Sequence, residues 1–172
     1  SGTLSKRVGA QVALKCENLQ RAGSFKIRGA LVRATKLADA ELSRGVVAAS
    51  AGNHAQAVSV AARERGVTAQ LFMPAGAPLA KVEAVRGYGG VVELVEGSYE
   101  DAAEAARDYA ERTGATLIHP YDDPDVIAGQ GTISLEIAAA APATRTIAVP
   151  VGGGGLAAGV AIAAKSELPG CR

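Results

Sequence analysis

The chain has no tryptophan, one methionine, two phenylalanines and two cysteines in 172 residues. Cys16 and Cys171 stand too far apart to suggest a disulfide framework or a metal-ligand cluster, so a reducing cytoplasm is the expected compartment. Charge of one sign is not in excess: 18 Lys plus Arg face 17 Asp plus Glu, which gives no electrostatic reason to bind nucleic acid or an anionic membrane. Long hydrophobic runs are missing too, because Gly, Pro or a charged residue interrupts every apolar stretch well before bilayer length, and residues 1–20 show no signal-peptide pattern. A small-molecule partner is the remaining expectation. What is abundant is glycine, 21 residues of it, together with alanine. That combination suits close backbone packing and many tight strand-to-helix turns, the habit of α/β proteins.

Along the chain, Val12–Leu14 reads as a short strand, and a helix is predicted from about Phe25 to Leu37. A regular alternation follows: strand Val46–Ala49, helix Asn53–Arg65 ending at Gly66, strand Gln70–Met73, helix Leu79–Tyr88 and strand Val91–Val95. Ser98 and Asp101 form a capping-box-like start to a helix Tyr99–Thr113, with strand Thr116–Ile118 beyond it. The connections are too short for anything but right-handed crossovers in a parallel sheet. An irregular segment, His119–Val126, is then expected, followed by a helix Gly129–Ala141 and an apolar strand Thr146–Val151. That strand runs into four glycines and an alanine-rich helix stopped at Leu168-Pro169-Gly170. A parallel sheet ending there would expose an open edge, so the chain is expected to be part of a longer one.

Three segments combine residue types suited to chemistry. At Gly152-Gly153-Gly154-Gly155, a strand feeding bare backbone and a helix start can hold a phosphate, and a tightly packed turn explains the glycines equally well. The spacing matches neither G-x-G-x-x-G nor G-x-x-x-x-G-K-[ST]. In Gly23-Ser24-Phe25-Lys26-Ile27-Arg28-Gly29, Lys26 sits at a helix start, where the dipole disfavours a cation and helps to depress its pKa. Such a lysine can serve as an amine nucleophile toward a carbonyl, although a solvated surface lysine is the commoner case. In Ser50-Ala51-Gly52-Asn53-His54, free backbone N–H groups at a helix start suit a carboxylate. Plain N-capping by Ser50 or Asn53 is the alternative, and His54 is more often a packed side chain than a base.

Together the three segments resemble the lysine motif, the substrate-carboxylate loop and the tetraglycine phosphate loop of the fold-type II pyridoxal-phosphate enzymes. Two further stretches are similar to the threonine dehydratase and serine racemase branch. One is Met73-Pro74 with Ala77-Pro78 and Lys81-Val82; the other is His119-Pro120-Tyr121-Asp122-Asp123 leading to Gly129-Gln130-Gly131-Thr132. The resemblance covers nearly the whole chain and implies two interleaved parallel-sheet α/β domains of the tryptophan synthase β-like type. Residues 40–126 would form the small domain, and residues 1–39 with 127–172 part of the large, cofactor-binding one.

The same resemblance implies pyridoxal 5'-phosphate as cofactor, carried by Lys26 as a Schiff base, with Lys26 later removing the α-proton. Phe25 would pack beside the cofactor and Asn53 would bond its phenolic oxygen. Gly152, Gly153, Gly154, Gly155 and the N–H of Leu156 would hold the phosphate, and the loop Ser50, Ala51, Gly52, Asn53 and His54 the amino-acid carboxylate. The implied reaction is dehydration and deamination of L-threonine, with L-serine second, to a 2-oxo acid and ammonia in a homo-oligomeric enzyme. A serine racemase or another β-eliminating enzyme of this fold is the alternative, and a non-catalytic phosphate- or nucleotide-binding α/β fragment the alternative of another class. Ala51 separates the first two: the related racemases place a serine immediately after the position of Ser50, and alanine cannot transfer a proton. No metal ligand is implied within these residues.

Overall fold

Val46 and Ala48 point to one side of their strand and Val47 and Ala49 to the other, and all four are buried, so this strand must be covered on both faces. It is β1 (Val46–Ala49), one of two inner strands of a four-stranded, all-parallel sheet in a computed structural model that describes residues 1–172. The others are β2 (Ala69–Pro74), β3 (Val91–Val95) and β4 (Thr116–Leu117), in the spatial order β3-β2-β1-β4. The register pairs Val46 with Ala69 on one side and with Thr116 on the other, and Leu71 with Val92.

Helices cover both faces. Helix α4 (Asn53–Glu64) and α5 (Leu79–Gly87) lie on the face of Val46, Ala48, Leu71 and Met73, and α2 (Lys26–Thr35) packs on α4. On the opposite face, α6 (Tyr99–Thr113) sets Ala102 and Ala106 against Val47, Ala49 and Phe72. Alanine at these contacts lets helix and sheet approach closely, which is how a chain so poor in aromatics fills its core. The capping box predicted at Ser98 is formed: Asp101 N–H donates to Ser98 Oγ at 3.3 Å, and Ser98 N–H donates to Asp101 Oδ2 at 2.6 Å.

The remaining helices are α1 (Gly2–Val8), α3 (Asp39–Leu42), α7 (Pro124–Ala140) and α8 (Gly155–Glu167). Helix α7 is the spine that joins the two ends of the chain. Gly129 lies so close to α2 that an added Cβ would stand 2.5 Å from Gly29 Cα, and a Cβ on Gly131 would stand 2.9 Å from Gly159 O in α8. The helix that begins at Lys26 and the helix that begins at Gly155 therefore rest on one support. Arg28 reinforces it, with its guanidinium donating to Glu17 (2.7 and 2.9 Å), to Glu136 (2.6 and 2.8 Å) and to Thr132 Oγ1 (3.0 Å). Glu136, bonded by Arg28 and Lys15, has its carboxyl pushed down to about 2.

Three expectations need correction, and one helix was not expected: α1, capped by Ser1 and ended by the left-handed Gly9. Val12–Leu14 is not a strand, because no neighbour pairs with it; Val12 N–H donates instead to Ser5 Oγ at 2.8 Å and Val12 O accepts from the Ser1 amine. Helix α7 starts at Pro124, inside the segment expected to be irregular. Asp123 caps it by accepting from the N–H groups of Asp125 (2.8 Å) and Val126 (3.0 Å), and proline suits the first helical position. Thr146–Val151 runs as irregular chain, for want of a parallel neighbour; its contact is Ile147 N–H donating to Arg172 O at 2.9 Å.

Candidate active site

Lys26 is the first residue of α2, preceded by Phe25 as N-cap without a side-chain cap. Its side chain is half-buried, and its ammonium donates to the carbonyl of Pro120 at 2.5 Å with the Phe25 ring centroid 5.4 Å away. Burial holds the amine below the ordinary lysine range. A larger share of Lys26 is therefore neutral and nucleophilic near neutral pH than for a solvated lysine.

The second segment approaches the same place from α4. Its N-cap is Gly52, with no side-chain cap, so neither Ser50 nor Asn53 plays the capping role that sequence alone allowed. Ser50 Oγ instead accepts from Gly52 N–H at 3.0 Å, folding the loop back on itself. The first-turn N–H groups of α4 are left without a side-chain partner, and Asn53 is exposed beside them. His54 is buried, and its Nε2 donates to Ile118 O at 2.9 Å, which leaves Nδ1 unpartnered. Desolvation, with the charges of Lys26 and His119 adding to it, takes the imidazole down to about 4 against the Ile118 bond, so the ring is neutral.

The tetraglycine completes the arrangement. Gly154 takes a left-handed φ of 90° and is the N-cap of α8, again with no side-chain cap. Gly152 faces open space, whereas a Cβ on Gly153 would run into the Tyr121 ring and one on Gly155 would stand 2.5 Å from Tyr121 O. Two of the glycines are thus required for packing against Tyr121, and Gly152 and Gly154 leave bare backbone at the positive end of a 13-residue helix. Leu156 follows in the first turn of α8, half-buried.

Ile118, Pro120 and Tyr121 are therefore the meeting point: His54 binds the first, Lys26 the second, and Gly153 and Gly155 pack on the third. His119, between them, accepts at Nδ1 from the N–H groups of Asp122 (2.7 Å) and Tyr121 (3.3 Å), and its ring meets that of Tyr121 edge-on at 4.7 Å. Two of these roles belong to backbone carbonyls and one to a packing surface, so no residue type in the sequence signals them. Lys81 is the other participant read only as part of a motif: its Nζ lies 3.2 Å from where a Cβ on Gly52 would be.

A parallel α/β sheet thus brings a half-buried lysine amine and an uncapped glycine helix start onto adjoining residues. The amine, the open glycine backbone and the free N–H groups fit pyridoxal phosphate. All 172 residues match the family described as pyridoxal-phosphate dependent enzyme, and the chain belongs to that family. It is 51% identical over 169 residues to an L-threonine ammonia-lyase of Thermotoga maritima, covering 98% of this chain and 42% of that one. It is 46% identical over 172 residues to a serine racemase of Oryza sativa subsp. indica, covering 100% and 51%. The processed form of threonine deaminase isoform 2 from Solanum lycopersicum superposes with a TM-score of 0.96 at 42% identity, over 99% of this chain and 47% of that one. The chain spans about half the length of the curated relatives it matches.

Proposed function

We propose that the chain carries the cofactor site of a lyase that dehydrates and deaminates L-threonine, and L-serine as a second substrate, to a 2-oxo acid and ammonia. The observation that carries this reading is the convergence of Lys26 and the tetraglycine on Pro120 and Tyr121, in a family whose members depend on pyridoxal phosphate. The group, when bound, serves as the electron sink for a carbanion at Cα. Lys26 would hold the cofactor through its amine until the substrate amine displaces it, and the freed Lys26 amine would then take the proton when the Cα–H bond breaks. The β-hydroxyl then leaves with a proton as water, and hydrolysis of the resulting enamine releases the 2-oxo acid and ammonia, with no oxidant or reductant required.

Phe25 would pack beside the cofactor and Asn53 would bond its phenolic oxygen. Gly152 to Gly155 with the Leu156 N–H would hold the phosphate, and the Ser50 to His54 loop would hold the substrate carboxylate. We assign residues 40–126 to a small domain, and residues 1–39 with 127–172 to part of a large one. The reading extends to a homo-oligomeric, cytoplasmic enzyme whose 2-oxo acid feeds isoleucine synthesis. No helix is long and apolar enough to cross a membrane.

Serine racemisation is the second reading, supported by the similarity to the rice enzyme. Ala51 weighs against it, since inversion needs a proton donor on the face opposite Lys26. The test is to add pyridoxal phosphate to the complete protein, record near-visible absorbance, reduce with borohydride and map the label. The label is expected on Lys26, and Lys26→Ala is expected to lose both label and turnover of L-threonine. A label on Lys15, Lys36 or Lys81 sinks the assignment.

A further inference from the structure

Lys81 is the third residue of α5, a position where the dipole makes a cation unfavourable. Lys81 is exposed, and its side chain makes no ion pair and no hydrogen bond; Glu83 is taken by Arg86 at 2.8 Å. Its side chain instead reaches across to the loop between β1 and α4. From the site of a Cβ on Gly52, Lys81 Nζ, Cδ and Cε stand 3.2, 3.7 and 3.8 Å away. Gly52 is the N-cap of α4, whose first-turn N–H groups have no side-chain cap. An unpaired ammonium thus stands at the N-terminus of α4, an arrangement of positive potential with no anion of the chain's own to balance it.

We infer that Lys81 is a binding residue for the α-carboxylate of the substrate, acting with the N–H groups of the Ser50 to His54 loop. The inference rests on the proposed assignment of that loop to the carboxylate. A Cβ at position 52 would press on the amine at 3.2 Å and shift it by a few tenths of an ångström. Lys81 and Lys26 divide the work, one meeting the charged end of the amino acid and the other its α-carbon.

The test compares L-threonine with L-threoninamide, which keeps the amine and hydroxyl and lacks the carboxylate charge, in the complete holoenzyme. Lys81→Met is expected to raise KM for L-threonine about 10-fold or more, the usual loss for a hydrogen bond to a charged group, with kcat changed less than about threefold. The inhibition constant of L-threoninamide stays the same, Lys81→Arg restores most of the loss, and the cofactor absorbance is unaltered. Equal losses for both compounds, or none for either, overturn the inference. Ser50→Ala, which releases the turn at Gly52, separates the two ideas. If it lowers the preference for L-threonine over the amide and Lys81→Met does not, Lys81 alone is misassigned; if neither variant changes the preference, the loop does not bind the carboxylate.

Discussion

His54 ties the stability of the protein to pH in a direction fixed by its surroundings. The ring is 3% exposed and its pKa falls from 6.5 to about 4, chiefly through desolvation. A group depressed in the folded state contributes stability that is complete above its unfolded pKa and is lost as pH falls toward the folded one. Here the loss begins near pH 6.5 and is nearly complete at about pH 4. Linkage between those two values gives a loss of ~2 kcal/mol by about pH 5 and ~3 kcal/mol by about pH 4. His54→Gln removes the titration while keeping an N–H donor for Ile118 O. Urea unfolding of wild type and His54→Gln, followed by circular dichroism at pH 7, 5 and 4, measures the effect as a difference. Wild type is expected to lead by the value of the native packing at neutral pH and to lose ~2 to 3 kcal/mol of that lead on acidification. A difference independent of pH would mean that the ring is hydrated or charged in the native state, and the reasoning from its burial would fail.

Other variants separate the roles of the glycines and of the loop. Gly152→Asp, placed where a side chain meets nothing, is expected to leave folding intact and weaken pyridoxal-phosphate binding, since like charges at ~4 Å repel by about 4 kcal/mol at an effective dielectric of ~20. Unchanged cofactor affinity in a titration would put the phosphate elsewhere. Gly153→Ala is expected instead to cost about 1 to 3 kcal/mol in folding as Tyr121 is forced aside, read from the urea midpoint. Ala51→Ser in the complete enzyme is expected to raise serine racemisation from background while threonine dehydration falls or holds. Efficient racemisation by the Ala51 protein, seen by chiral analysis, would remove the main support for the dehydratase reading.

Much of the fold follows from local rules, and each departure from expectation has its own physical reason. The boundaries of β1, β3 and α6 agree with expectation because each carries a complete local signal: an apolar run of strand length, or a capping box at one end and a left-handed glycine at the other. The Thr146–Val151 segment has as good an apolar run and forms no strand, because a strand exists only in its pairing. The Asp123-Pro124 start of α7 carries a local signal of its own, a capping carboxylate followed by proline at the first helical position.

Sequence by itself determined the alternation of elements, the parallel sheet and the three segments worth watching. Each of these is encoded by residue types within a few positions of one another. Only tertiary structure decided that Lys26, His54 and the tetraglycine converge on residues 118–121, that Tyr121 packs where side chains at positions 153 and 155 would stand, and that Lys81 stands unpaired over Gly52. Those contacts run through backbone carbonyls, close approach and the lack of an acidic partner. None of them is a property of a residue type, and all depend on which helices share α7 and the sheet as supports.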